Sequence, residues 1–122
     1  MTYFPQAHST QRAPRVKLGG SVLVAIRVEG TPPIRAKLRE LSATGGLLIL
    51  AKPLETGEFV QVAFQTSKGA VQGMAEILEP RLKASSGCLQ PFRFIALEDE
   101  AHRSLRMALE SLLDQITVGS SF

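Results

Sequence analysis

The segment SVLVAIRV, residues 21–28, alternates apolar and other positions with a period of two, placing Val22, Val24, Ile26 and Val28 on one face and Arg27 on the other. GTPP breaks this run, and IRAKLREL resumes it, with Ile34, Ala36 and Leu38 opposite Arg35, Lys37 and Arg39. After the turn SATGG comes LLIL, a short apolar strand, then the loop KPLETGE. FVQVAFQ puts Val60, Val62 and Phe64 on one side, and SKG turns the chain into AVQGMAEIL. The polar loop PRLKASSG leads to a last strand, CLQPFRFIAL.

The period then changes. In DEAHRSLRMALESLLDQI, Ala101, Leu105, Leu109, Leu112, Leu113 and Ile116 recur at spacings of three and four, the face of a helix over about residues 99–116. Asp99 and Glu100 suit the positive end of its dipole, Asp99 as a cap, and the glycine of VGSSF is expected to end it. Six strands joined by tight turns, without helical crossovers, predict a small antiparallel β-barrel, with the helix covering one opening or flank. The expected domain spans residues 15–118, between a polar arm at 1–14 without periodicity and a short tail at 119–122.

Composition narrows the picture. The chain has 122 residues and 44% hydrophobic content, which fits one globular domain. Cys88 is the only cysteine, so no internal disulfide forms, as suits a reducing cytoplasm. No apolar run is long enough to span a bilayer, and the N-terminus lacks the pattern of a secretory signal, so no membrane insertion is expected. Charge is segregated: residues 1–39 hold seven Lys/Arg and one acid, while residues 98–122 hold five acids and two arginines. A basic front points to an anionic partner there. His8 and His102 are isolated and form no metal-ligand set. No catalytic triad, acid pair or P-loop is present, and no catalytic residue is assigned.

The arm QRAPR, the first strand, the corner ELSATGG and the late FRF before the helix together resemble the PilZ domain family. The resemblance implies a six-stranded split barrel with a C-terminal helix, and a cytoplasmic bacterial module that binds cyclic di-GMP. Its first motif, two arginines four apart, falls here on Gln11 and Arg15, with Arg12 beside the first place. Its second, an Asp or Asn followed by Ser and Gly, falls on Glu40, Ser42 and Gly45. Each motif carries one departure: Gln11 for arginine, and Glu40 for a carboxylate one methylene shorter.

The chemistry of these residues can be weighed separately. Glu40 presents two acceptors to the N1–H and N2 amino donors of a guanine. Ser42 can donate to a phosphate, and Gly45 permits positive φ and close approach of a ligand to the backbone. Arg15 matches O6 and N7 of guanine or bridges a phosphate, Arg12 can supply the charge that Gln11 lacks, and Arg39 is a supporting contact. Plainer roles exist for each: an ion pair for Glu40, turn chemistry for Ser42 and Gly45, a solvated strand face for Arg35 and Arg39, and a core position for Phe92 and Phe94.

Three functions follow as expectations. The first is a sensor in which the arm closes over cyclic di-GMP and signals to a downstream protein, with no cofactor. The second is an adaptor of the same fold that binds proteins and not nucleotide. The third is a nucleic-acid-binding barrel, disfavoured because few exposed aromatics are expected.

Overall fold

The computed structural model describes residues 15–84 and 87–120. The proposed arm, with Gln11 and Arg12, lies outside the described residues. Seven strands and one helix follow in order: β1 (Val16–Arg27), β2 (Ile34–Leu41), β3 (Gly45–Leu50), β4 (Phe59–Thr66), β5 (Gly69–Ile77), β6 (Leu82–Ala84), β7 (Gly87–Leu97) and α1 (Asp99–Ser120). All pairings are antiparallel, in the order β3-β2-β1-β4-β5-β7, and a further β3–β7 pairing closes the ring. The six-stranded barrel with one C-terminal helix agrees with the pattern of the sequence.

Three details differ from expectation. β1 begins at Val16 rather than at residue 21, because four residues of β1, Leu18 to Ser21, face the single Arg39 of β2 in a wide irregularity. The pair Gly19–Gly20 interrupts the apolar alternation there, as glycine does at bulges. The predicted loop PRLKASSG contains β6, which pairs with the start of β7 alongside the end of β5. Finally, α1 runs through Gly119 to Ser120. A glycine costs a helix only about 1 kcal/mol relative to alanine, so it does not stop one unaided. The cap also shifts: His102 N–H donates to the Glu98 carbonyl at 2.8 Å, so Glu98 precedes the helix and Asp99 is its first residue.

The inward residues of β1, β2, β3, β4, β5 and β7 meet in one core. Val24, Ile26, Leu38, Leu48, Val62, Val71, Ile77 and Phe92 are all buried, each worth about 1.5–3 kcal/mol in apolar transfer. The helix adds Ala101, Leu105, Ala108 and Leu109, with Leu112 half-buried. It sits against the β4–β5 hairpin, where Thr66 Oγ1 donates to Gly69 O at 2.7 Å and Gly69, at φ 130°, leaves room for the Ser104 side chain. Phe92 and Phe94 meet edge to face at 5.2 Å, and Phe92 is buried, in keeping with a core position.

One buried polar side chain interrupts the apolar interior. Gln90 is fully enclosed, its Oε1 accepting from Leu54 N–H at 2.7 Å and its Nε2 donating to Leu54 O at 2.8 Å and Leu78 O at 3.0 Å. It thereby fastens the loop between β3 and β4, and the end of β5, to β7.

Candidate functional site

A break in strand phase positions the site. Along β2, Ala36 and Leu38 face the core and Arg35 and Lys37 face out. Strict alternation would turn Glu40 inward. Instead Leu38 pairs with Leu48 and Glu40 with Leu47, leaving Arg39 as an extra residue opposite β3. This bulge reverses the phase, so Leu41 enters the core and Glu40 emerges beside Arg39.

The chain then turns sharply into β3. Ser42 N–H donates to Gly45 O at 2.8 Å, and the Ser42 hydroxyl accepts from Thr44 N–H at 3.2 Å. That hydroxyl also lies 3.3 Å from Gly45 O and 3.2 Å from Thr44 Oγ1, and Ser42 is only 5% exposed. Its bonds therefore hold the turn. Gly45 is not among the left-handed glycines, which are Gly30, Gly57, Gly69 and Gly87 among the described residues. It is required for contact instead: a Cβ at Gly45 would collide with the Phe92 carbonyl, and one at Gly46 would meet Glu40 O at 2.6 Å and the Phe92 ring at 2.9 Å. The expected freedom of φ at Gly45 is thus replaced by close approach of β3 to β7. Gly45→Ala is expected to lower stability by about 2–3 kcal/mol, read as a fall in the urea midpoint.

These residues line a cleft of about 270 Å³ on the outside of the barrel, with Arg15, Glu40, Ser42, Thr44, Gly45 and Gly46 on one side and Leu78, Arg81, Pro91, Phe92 and Arg93 on the other. Of the candidates read from sequence, Arg15, Glu40, Ser42 and Gly45 come together here. Arg39 stays at the bulge and does not line the cleft, and Gln11 and Arg12 lie outside the described residues. Arg15 Nη1 lies 3.4 Å from Glu40 Oε1, the two side chains being 40% and 18% exposed. A pair this open contributes less than about 1 kcal/mol, so a ligand can displace it cheaply.

Two arginines were missed by sequence reasoning. Arg93 pairs with Glu76 across β7 and β5. Arg81 follows β5 in the predicted polar loop, held by its N–H to Leu89 O at 2.9 Å, and its guanidinium makes no ion pair among the described residues. With Glu40 beside Arg15 and Glu76 beside Arg93, the cleft keeps one excess positive charge, on Arg81, suited to an anion.

No family model and no curated protein matches the chain. Solved structures do. The chain is similar to the PilZ domain of YcgR from Escherichia coli, solved with cyclic di-GMP, at 19% identity and a TM-score of 0.70 over 92% of this chain and 98% of that one. It is similar to a longer YcgR structure from the same organism in complex with cyclic di-GMP, at 18% identity and a TM-score of 0.75, covering 92% of this chain and 50% of that one. A third neighbour is the Bacillus subtilis inhibitor of motility MotI/DgrA, at 18% identity and a TM-score of 0.67, covering 85% and 53%. The chain therefore has a PilZ-like fold, and spans about half the length of the two longer neighbours.

Proposed function

We propose that the chain is a cyclic di-GMP-binding sensor module that acts through a protein partner rather than by catalysis. The observation that carries this reading is the convergence of Arg15, ahead of β1, with Glu40, Ser42 and Gly45 of the β2–β3 corner on one cationic cleft. In it, Arg15 takes O6 and N7 of a guanine or a phosphate, and Glu40 accepts from the guanine N1–H and N2 amino group. Ser42 and Gly45 shape the floor through the turn and its contact with β7. Arg81 offers a phosphate a guanidinium that has no ion-pair partner among the described residues.

The arm completes the site. Arg12 is three residues from Arg15, so their Cα atoms are no more than about 11 Å apart. That distance lets Arg12 reach a ligand lying against Arg15. Two neighbours of the same fold are described with cyclic di-GMP, which supports the choice of ligand.

Titration calorimetry with cyclic di-GMP at low salt tests the reading, with cyclic di-AMP as the control. Saturable heat with the guanine compound alone is expected, and a blank at about 100 µM, some 5.5 kcal/mol of binding free energy, would overturn it. Glu40→Ala should weaken binding roughly 5- to 150-fold, since a good bidentate contact to a base is worth about 1–3 kcal/mol.

A second reading has its own observation. Arg15 and Glu40 already satisfy one another, and the Ser42 hydroxyl is engaged within the turn. An adaptor that binds protein without nucleotide would carry the same contacts. A calorimetric blank together with a partner whose binding ignores nucleotide favours this adaptor.

A further inference from the structure

The outer face of β2, β1 and β4 is unexplained by the cleft. Strand pairing sets Leu23 beside Lys37, Ala25 between Arg35 and Ala63, and Arg27 beside Gln61. Arg35, Lys37, Arg39, Arg27, Leu23 and Ala25 all point outward and are exposed. Leu23, at 62% exposure, leads the exposed large hydrophobics among the described residues. Neighbouring strands lie about 5 Å apart and alternate residues about 7 Å apart, so these groups form one continuous patch. Its centre is the apolar group Leu23, Ala25 and Ala63, and its charged border, along β2 and at Arg27, is cationic, with the neutral Gln61 on the β4 side.

None of the four cations makes an ion pair among the described residues, and the acids nearest along their strands, Glu29 beyond the end of β1 and Glu40 paired with Arg15, lie outside the rows that carry Leu23 and Ala25. A single-sign border around an exposed leucine selects for a partner that is negative throughout and soft enough to receive an apolar tip. We propose that this face rests on an anionic phospholipid bilayer. The cations lie in the headgroup layer, and Leu23 enters the boundary with the acyl chains. This is attachment to a surface, since no described helix is long and apolar enough to cross a membrane. It does not depend on nucleotide binding.

Two other polyanions fit less well. A nucleic-acid strand would set phosphates over Leu23 and the alanines, and among the described residues the exposed ring, Phe59, stands beside Glu76 at the far end of β4. An acidic protein would pair with a border of single sign, but protein interfaces favour aromatic anchors at their centre, where this face has alanines.

Co-sedimentation decides the matter. Full-length protein is mixed with vesicles of phosphatidylcholine alone, and of phosphatidylcholine with phosphatidylglycerol, over a range of salt. Binding to the anionic vesicles only, declining with salt, is expected. The double variant Arg35→Glu with Lys37→Glu should lose about fivefold in partitioning for each cation removed, or more with the added repulsion. Leu23→Ser should weaken binding roughly five- to tenfold, including at salt that screens the cations. Both variants alter exposed side chains, and unchanged melting confirms their folding. Equal binding to neutral vesicles, no binding to either, or retention by an oligouridylate or a polyglutamate peptide in place of vesicles would each overturn the proposal.

Discussion

Arg15→Ala is expected to remove most of the calorimetric signal with cyclic di-GMP, lowering affinity roughly 5- to 150-fold, the worth of about 1–3 kcal/mol. The substitution acts in two ways. It deletes the forked donor that matches O6 and N7, and it leaves the Glu40 carboxylate without its 3.4 Å partner. Because both side chains are partly exposed, water re-solvates Glu40, and the fold should melt within a degree or two of the parent. Affinity and stability thus separate at this position. Retained affinity would remove Arg15 from the site and would transfer the weight of recognition to Arg81 or to the arm. Arg15→Lys is the sharper control, since lysine keeps the charge and loses the planar fork. A variant as weak as alanine indicates bidentate recognition, whereas an intermediate one indicates phosphate attraction.

Gln90→Leu should produce the largest loss of stability, about 3–5 kcal/mol, read from urea midpoints and as a fall in melting temperature of about 10–15 °C. Leucine nearly matches glutamine in volume, so the loss is not that of a cavity. It arises because Leu54 N–H, Leu54 O and Leu78 O lose their partner together. A smaller loss, under about 1 kcal/mol, would mean that water reaches these groups. Leu78 lines the cleft, and Arg81 follows three residues later, so the variant should also loosen the far wall and weaken binding. Gln90 therefore couples the interior to the candidate site.

The barrel was legible in the sequence because its inward positions follow a period of two almost without interruption. Val24, Ile26, Ala36, Leu38, Val60, Val62 and Phe64 were read as inward from alternation, and all are buried. Closure follows from a chain of antiparallel strands without crossovers. The misplaced details share a cause, which is that local pattern does not register non-local pairing. β6 has only three residues and exists by pairing with β7, and the first residues of β1 are separated from the rest by a diglycine.

Of the residues that the family resemblance picked out, Arg15, Glu40, Ser42 and Gly45 share one cleft. The site was not legible in Arg81 and Arg93, which reach the cleft from a loop and from a strand remote in sequence. Arg93 lies within FRF, where the flanking phenylalanines carry the stronger pattern. Gln90 did leave a signal: it stands between Cys88 and Phe92 in the inward row of β7, a polar residue where alternation demands an apolar one. Gly45 does not use the positive φ expected of it, and its missing Cβ makes room for the Phe92 carbonyl behind it.

The extra residue at Arg39 has a consequence for how this protein can be probed and how it can diversify. Side-chain exchanges along β2 sample identity at fixed parity, and leave inside and outside as they were. Excising the Arg39 codon would leave Leu38 inside, Glu40 outside and Leu41 inside by plain alternation, whereas the same excision at an unbulged position would turn one stretch of the strand over, sending carboxylates into oil and leucines into water. The recognition chemistry of this domain is therefore written partly in chain length, and a scan of deletions would expose what any library of point changes overlooks.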